Sequence, residues 1–550
     1  MVGNHIQASN VSGNGTNPYR EFFALDLPPT AQFCHLERGF TPYEYGPYKT
    51  NNMTFDAEHT SQQYALVGDV ESDRYVLVGA VTCRRSVTQI TVHRVSGLLR
   101  GLTVTQPEIV AGAEPEAVVR LDGDDWRELL REYARRVAAR MQVRLPDVGE
   151  NSTGYCSWYY DYHHVTEAQF LENLEALARH RDVFPARTVQ IDDGYQPHHG
   201  DWLARNAQWP TPLADTAARI NELGFVAGIW TLPLLASTAS RVFREHPDWF
   251  VRHERRDIPV TVAGWSPEPD RFWAVLDTTV PAVREHLQRV FATFYDWGFR
   301  YFKLDGLGFS VPVGRRHDPD ATGVSAYRDG LRIIRDAVGE SLILACGPHF
   351  PALGLAEHAR ISADTGCMWE MHGLPTEDPD AAAADEPVPP AAPGLRNALV
   401  YSLSRWWEFD VLYRADPDVV LARDENTRLT AGEARLSALS GMVTGVVFTS
   451  DHLERMSAER RALLGLAART RVRNLRPEDW RERAYPYVYS GTVAGRRALA
   501  VFNLSAQPFP VDTARYGLTG EFRDLFRPGA PIPQTACVPA RDAALLVQGH

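Results

Sequence analysis

Cysteine is scarce in this 550-residue chain. The six present (Cys34, Cys83, Cys156, Cys346, Cys367 and Cys537) never fall at Cys-x-x-Cys spacing. That excludes a zinc ribbon and makes a poor disulfide framework. Positive charge is not in surplus either: the formal net charge is −12, which leaves nothing to neutralise phosphates, so no nucleic-acid partner is expected. No apolar run approaches the length of a membrane span, so no membrane partner is expected. The opening MVGNHIQASNVSGNGTNPYR lacks a basic segment followed by an apolar core. It reads as a lead-in rather than a secretory signal, and a cytoplasmic location is the expectation. Also missing is a glycine-rich phosphate turn after a first strand, the mark of a doubly wound nucleotide-binding sheet.

What is present is globular material, 44% hydrophobic and 23% charged, in a chain long enough for two or three domains. Residues 1–145 hold period-2 runs such as 75-YVLVGAVT-82 and 88-TQITVHRV-95, which predict an N-terminal β-sandwich domain. It closes on a helix over 124–141, whose paired aspartates suit a helix N-terminus. Residues 471–550 return to β texture, in 484–493, 496–505 and 542–548, and predict a small antiparallel domain.

Between them, over 146–470, short apolar runs alternate with amphipathic helical segments. The strand candidates are GYCSW (154–158), RTVQID (187–192), FVAGIW (225–230), RYFKLD (300–305), LILAC (342–346), RISAD (360–364), VLY (411–413) and GVVFTS (445–450). Eight candidates, mostly alternating with helices, predict a closed (β/α)8 barrel, a TIM barrel of the α/β class. The Pro/Ala-rich acidic segment 371–394 interrupts the alternation; it reads first as a solvated loop, and its position just after RISAD would place it at the barrel mouth.

Barrel chemistry sits at the C-terminal ends of the strands. Those ends carry Trp158, Asp192 and Asp193, Trp230, Asp305 and Asp364. Singly, each has a plainer reading: an aspartate as a helix cap, Asp193-Gly194 as a turn, Trp230 as core. Together, rings and carboxylates at five strand ends suit a sugar. Rings stack on its apolar faces and carboxylates accept from its hydroxyls. Lys303 lies two residues before Asp305 and shares its strand face, which favours an ionised carboxylate. Arg360 stands four before Asp364 in the same spirit. Two such aspartates suit a retaining glycosidase, one attacking the anomeric carbon and one, kept protonated by its anionic neighbour, serving as acid. The adjacent pairs His163-His164 and His198-His199 suit no metal, because chain neighbours seldom ligate one ion. Asp416-Pro417-Asp418 reads as a turn after the seventh strand, with support behind the site residues as the alternative.

The segments GYCSWYYDY (154–162), QIDDGYQ…GDWL (190–203), GFVAGIWTLP (224–233), YFKLD (301–305) and RISADTGCMWE (360–370) resemble glycoside hydrolase family 36. They are most similar to its compact α-galactosidases, the melibiases. ADPDVVL (415–421) and TSDHL (449–453) agree in order and spacing. The resemblance implies a retaining exo-α-galactosidase that needs no cofactor and no metal. It implies Asp305 as nucleophile and Asp364 as acid/base, Asp192 and Asp193 binding galactose hydroxyls, Lys303 and Arg360 contacting further hydroxyls, and Trp158 and Trp230 walling the sugar pocket. The implied partner is a small-molecule α-galactoside or glycoconjugate. A related α-glycosidase or a transglycosidase on the same scaffold is the alternative. Gly306-Leu307-Gly308, Cys367-Met368 and the 371–394 insert match no family role, and the glycine-rich stretch and larger N-terminal sandwich of bigger members are absent.

Overall fold

The computed structural model describes residues 19–24, 33–36, 49–51, 59–69, 71–95, 98–109, 113–145, 151–266, 269–311, 314–370, 393–483, 485–529, 531–532 and 534–549. Most of the Pro/Ala-rich insert, 371–392, lies outside them, so its expected place at the barrel mouth is not described.

Eight parallel strands form the central sheet: β1 (Ser152–Cys156), β2 (Thr188–Ile191), β3 (Val226–Thr231), β4 (Phe299–Leu304), β5 (Leu342–Ala345), β6 (His358–Arg360), β7 (Arg414–Asp416) and β8 (Val446–Thr449). Their order is β7-β6-β5-β4-β3-β2-β1-β8. The ring closes just beyond β7, where Val419 bridges Phe448 in parallel and the Val420 N–H donates to the Phe448 carbonyl at 2.7 Å. This is the predicted (β/α)8 barrel. Large rings fill its interior, with Tyr301 stacked on Phe448 at 5.4 Å and near His358 at 5.9 Å. Gly154 on β1 makes room, since a Cβ there would stand 2.6 Å from the Phe448 ring.

The helices begin where local chemistry starts them. Thr166 and Gln169 form a reciprocal capping box ahead of Glu167–Arg179, satisfying two otherwise orphaned N–H groups. That helix buries Phe170, Leu174 and Leu177, the i, i+4, i+7 stripe that faces a sheet. Leu213–Glu222, Pro281–Asp296 and Gly323–Val338 follow β2, β3 and β4. The β5–β6 connection carries only the single turn His349–Ala352, so the alternation breaks there.

Two strand expectations are corrected. The seventh strand is Arg414–Asp416, not 411–413. Val411 and Leu412 instead close a turn on the Glu408 carbonyl, and their β-branched and apolar character reflects burial rather than a strand. The sixth strand is His358–Arg360, so of RISAD only Arg360 is in the sheet. The Ile361 N–H bonds the Asp416 carbonyl and the chain then leaves the ladder. An insertion after β3 was not foreseen: a three-stranded antiparallel sheet of Leu235–Ser237, Phe272–Val275 and Thr261–Ala263.

Before the barrel, a four-stranded and a five-stranded antiparallel sheet face each other across a core of Ala65, Val67, Val76, Val78, Ile90, Val92, Leu102 and Val104. This is the expected sandwich. Its closing helix, Trp126–Met141, is capped by the Asp125 side chain. After the barrel, a five-stranded sheet and a two-stranded one enclose Val488, Leu499, Val501, Phe522, Val538 and Leu546. Among the described residues no helix is long and apolar enough to cross a membrane.

Candidate active site

The C-terminal mouth of the barrel gathers all eight residues expected from the sequence. Asp192 follows β2 directly and is buried. Its Oδ2 accepts from Lys303 Nζ at 2.9 Å, from Cys156 Sγ at 3.2 Å and from Gln190 Nε2. Its backbone N–H donates to Ser157 Oγ at 2.9 Å. Lys303 therefore pairs with Asp192, across two strands, and not with its chain neighbour Asp305. Burial works against the lysine's charge, but the adjacent carboxylate outweighs it and raises its pKa well above the usual value. Burial pushes the Cys156 thiol up in turn, so it stays a thiol and donates.

Asp193, also buried, has its Oδ1 accepting from His199 Nε2 at 3.1 Å and from Gln196 Nε2. Burial alone would raise its pKa, but His199 and Gln196 hold the carboxyl below the usual range. Trp273 Nε1 donates to His199 Nδ1 at 3.0 Å. That leaves a lone pair on Nδ1 and the hydrogen on Nε2, the tautomer that serves Asp193.

Asp305 stands one residue past β4. Its Oδ2 accepts from Trp230 Nε1 at 3.0 Å and its Oδ1 from the Gly306 N–H at 2.7 Å. Gly306 has φ 62°, and a Cβ there would lie 2.5 Å from Leu232 Cδ2. Only glycine provides this left-handed turn and close approach, so the glycine after Asp305 is what aims an N–H at its carboxylate. Burial raises the Asp305 pKa, against the pull of Lys303 and the two N–H donors, and the nearby Asp364 charge adds to the rise. The expectation that Lys303 governs Asp305 is thus modified: its effect is real, but burial exceeds it.

Asp364 lies four residues beyond β6, not at a strand end, and its side chain is 48% exposed. Its Oδ1 accepts from the terminal nitrogen Nη2 of Arg360 at 2.6 Å. The same nitrogen reaches Asp418 Oδ2 at 2.7 Å and Tyr159 Oη at 3.2 Å. Trp158 opens a one-turn helix after β1 and is partly exposed, edge-on to Tyr162 at 5.4 Å. Trp230 lies within β3 and is 1% exposed, so its indole is both core and ligand to Asp305.

Several participants escaped the sequence reading: Gln190, Cys156, His199, Trp273 and Tyr159. Gln190 had a signal, since it stands two before Asp192 on one strand face, as Lys303 does before Asp305. In sequence His199 shows only as half of an adjacent histidine pair that suits no metal. Trp273 comes from the unforeseen inserted sheet.

Known proteins resemble the chain in sequence and in fold. Residues 157–305 match the melibiase family model. α-Galactosidase 1 of Pediococcus pentosaceus is 30% identical over 295 residues, 49% of this chain and 37% of that protein. α-Galactosidase AgaA of Geobacillus stearothermophilus is 26% identical over 235 residues, 40% of this chain and 30% of that protein. The chain thus spans about a third of the length of these curated relatives. The solved α-galactosidase of Thermus thermophilus, in complex with stachyose, superposes with a TM-score of 0.65 at 26% identity, over 84% of this chain and 99% of that one. In sequence over part of its length, and in fold, the chain is similar to the melibiases and to known α-galactosidases.

Proposed function

We propose that the chain is a retaining exo-α-galactosidase, releasing terminal α-D-galactose from small galactosides or glycoconjugates. The reading is carried by one observation: Asp305, fixed by two N–H donors, and Asp364, open to solvent on Arg360, stand beyond β4 and β6 at the same end of the barrel, close enough for their charges to interact. The related α-galactosidases support galactose as the sugar.

Asp305 attacks the anomeric carbon from the β face while Asp364 gives its proton to the departing glycosidic oxygen. A β-galactosyl ester forms on Asp305 as the C1–O bond to the aglycone breaks. Asp364, now ionised, takes a proton from water, whose oxygen replaces Asp305 at C1 and restores the α configuration. These steps ask for no metal and no organic cofactor. Asp192 and Asp193 accept from the sugar's hydroxyls, the axial 4-OH among them. Lys303, with one of its three donors on Asp192, has two left for neighbouring hydroxyls, and Arg360 contacts another. Trp158 and Trp230 wall the ring.

A panel of nitrophenyl α-glycosides tests the sugar: release from the α-galactoside and not from the α-glucoside is expected. Release only from another α-sugar would overturn galactose. Asp305→Ala is expected to lose turnover by at least about a thousandfold. Added azide should then yield the β-galactosyl azide, and an α-azide would remove Asp305 from the nucleophile's role.

A further inference from the structure

Asp418 belongs to the ADPD stretch that reads in sequence as a turn, and nothing in the proposed reaction uses it. It is buried at 3% exposure and sits in the left-handed region at φ 81°, a conformation that glycine and asparagine accept and most other residues resist. The site is built around this residue. Its backbone N–H donates to Asp416 Oδ1 at 3.0 Å. Its Oδ2 accepts both from Arg360 Nη2 at 2.7 Å and from the Thr365 N–H at 2.8 Å. Thr365 immediately follows Asp364, so one carboxylate oxygen grips the arginine that holds Asp364 and the backbone that carries it. Among the described residues Arg360 Nε has no hydrogen-bond partner, and Nη2 is shared between the two carboxylates and Tyr159.

We propose that Asp418 is the positioning residue for Asp364, sharing the Arg360 charge so that Asp364 can carry and release a proton. The proposal rests on the reading of Asp364 as acid/base. Two consequences of the geometry support it. Were Arg360 paired with Asp364 alone, its whole charge would favour the carboxylate form and oppose a general acid. A second carboxylate on the same nitrogen takes up part of that charge. The ionisable groups around Asp418 are Arg360, Asp364, Asp416, Lys303 and Tyr159. Burial, against the pull of Arg360 and helped by Asp364 and Asp416, pushes Asp418 up to about 7.

The test uses Asp418→Asn, which keeps shape and tolerates the left-handed backbone, and Asp418→Gly, which deletes the carboxylate at no backbone strain. Each is assayed on melibiose, whose leaving group needs a proton, and on a dinitrophenyl α-galactoside, whose leaving group does not. Expected is a fall of about a hundredfold in kcat/KM on melibiose, a change under about threefold on the activated substrate, and an alkaline limb of the pH profile displaced to lower pH. Equal losses on both substrates, or no loss on either, would overturn the proposal. Asp364→Asn run alongside separates the two readings. If it lacks the leaving-group split, the acid/base assignment fails. If it shows the split and both Asp418 variants do not, only the positioning role fails. Unchanged circular dichroism and melting temperature establish that both variants are folded.

Discussion

Lys303 and Asp192 form a buried ion pair across the barrel, Nζ to Oδ2 at 2.9 Å, with side chains 6% and 2% exposed. The lysine comes from β4 and the aspartate from the end of β2, with β3 between them in the sheet. Removing one member of such a pair strands the other's charge and costs about 3–5 kcal/mol, whereas removing both is close to neutral. Lys303→Met is therefore expected to lower unfolding free energy by about that amount, measured by urea titration. Lys303→Met with Asp192→Leu should regain most of it and remain inactive. A single variant costing under about 1 kcal/mol would show that the pair does not hold the barrel mouth.

Trp230→Phe deletes the N–H that donates to Asp305 Oδ2 at 3.0 Å. A hydrogen bond to an ionised group contributes about 1.5–3 kcal/mol, so kcat/KM should fall about ten- to a hundredfold. The bond favours the charged carboxylate, and its loss raises a pKa that burial has already raised. The acid limb of the kcat/KM profile, where protonation silences the nucleophile, should thus move to higher pH. An acid limb that stays in place would separate Trp230 from the ionisation of Asp305.

The barrel was legible because its strands are short apolar runs closed by charged or aromatic residues, and its helices carry caps and period-3.6 stripes. The aspartates were legible because strand ends are where barrel chemistry lies. Partners were not. Lys303 sits on the face of Asp305 by period 2, yet its side chain is long enough to cross to Asp192, and pairing across strands is set by stagger rather than by spacing. Strand β7 was hidden because it consists of Arg-Ala-Asp, residues that pair here through buried ions rather than through apolar surface. The inserted sheet was missed because its strands are three or four residues long, below what alternation reveals.

His199 links Trp273 of that inserted sheet to Asp193 of the barrel, with bonds of 3.0 and 3.1 Å. His199→Phe leaves Asp193 with Gln196 as its remaining side-chain donor. The carboxylate is then less firmly aimed at the sugar, and KM for an α-galactoside should rise about tenfold, with a smaller change in kcat. His199→Gln, which can donate to Asp193, should recover part of the loss. If KM stays level in the phenylalanine variant, the His199–Asp193 bond has no part in recognition.

His358 on β6 lies inside the barrel at 1% exposure, with Nε2 against Ser152 Oγ at 3.3 Å and Nδ1 without a partner among the described residues. Burial, aided by Arg414, pushes its pKa down to about 3 from 6.5. The folded protein therefore holds this ring neutral where the unfolded chain protonates it. Between those values the unfolded state binds more protons, so stability falls as pH drops from about 6.5 towards 3, by at most about 5 kcal/mol. His286, pushed down to about 4 by burial, acts in the same direction and is common to both proteins compared. His358→Gln removes the titration while keeping a polar group beside Ser152. Urea unfolding at pH 7 and pH 4.5 should show the variant losing less stability on acidification than the parent, by about 2–3 kcal/mol. Parallel losses in the two proteins would place the acid sensitivity elsewhere than in this ring.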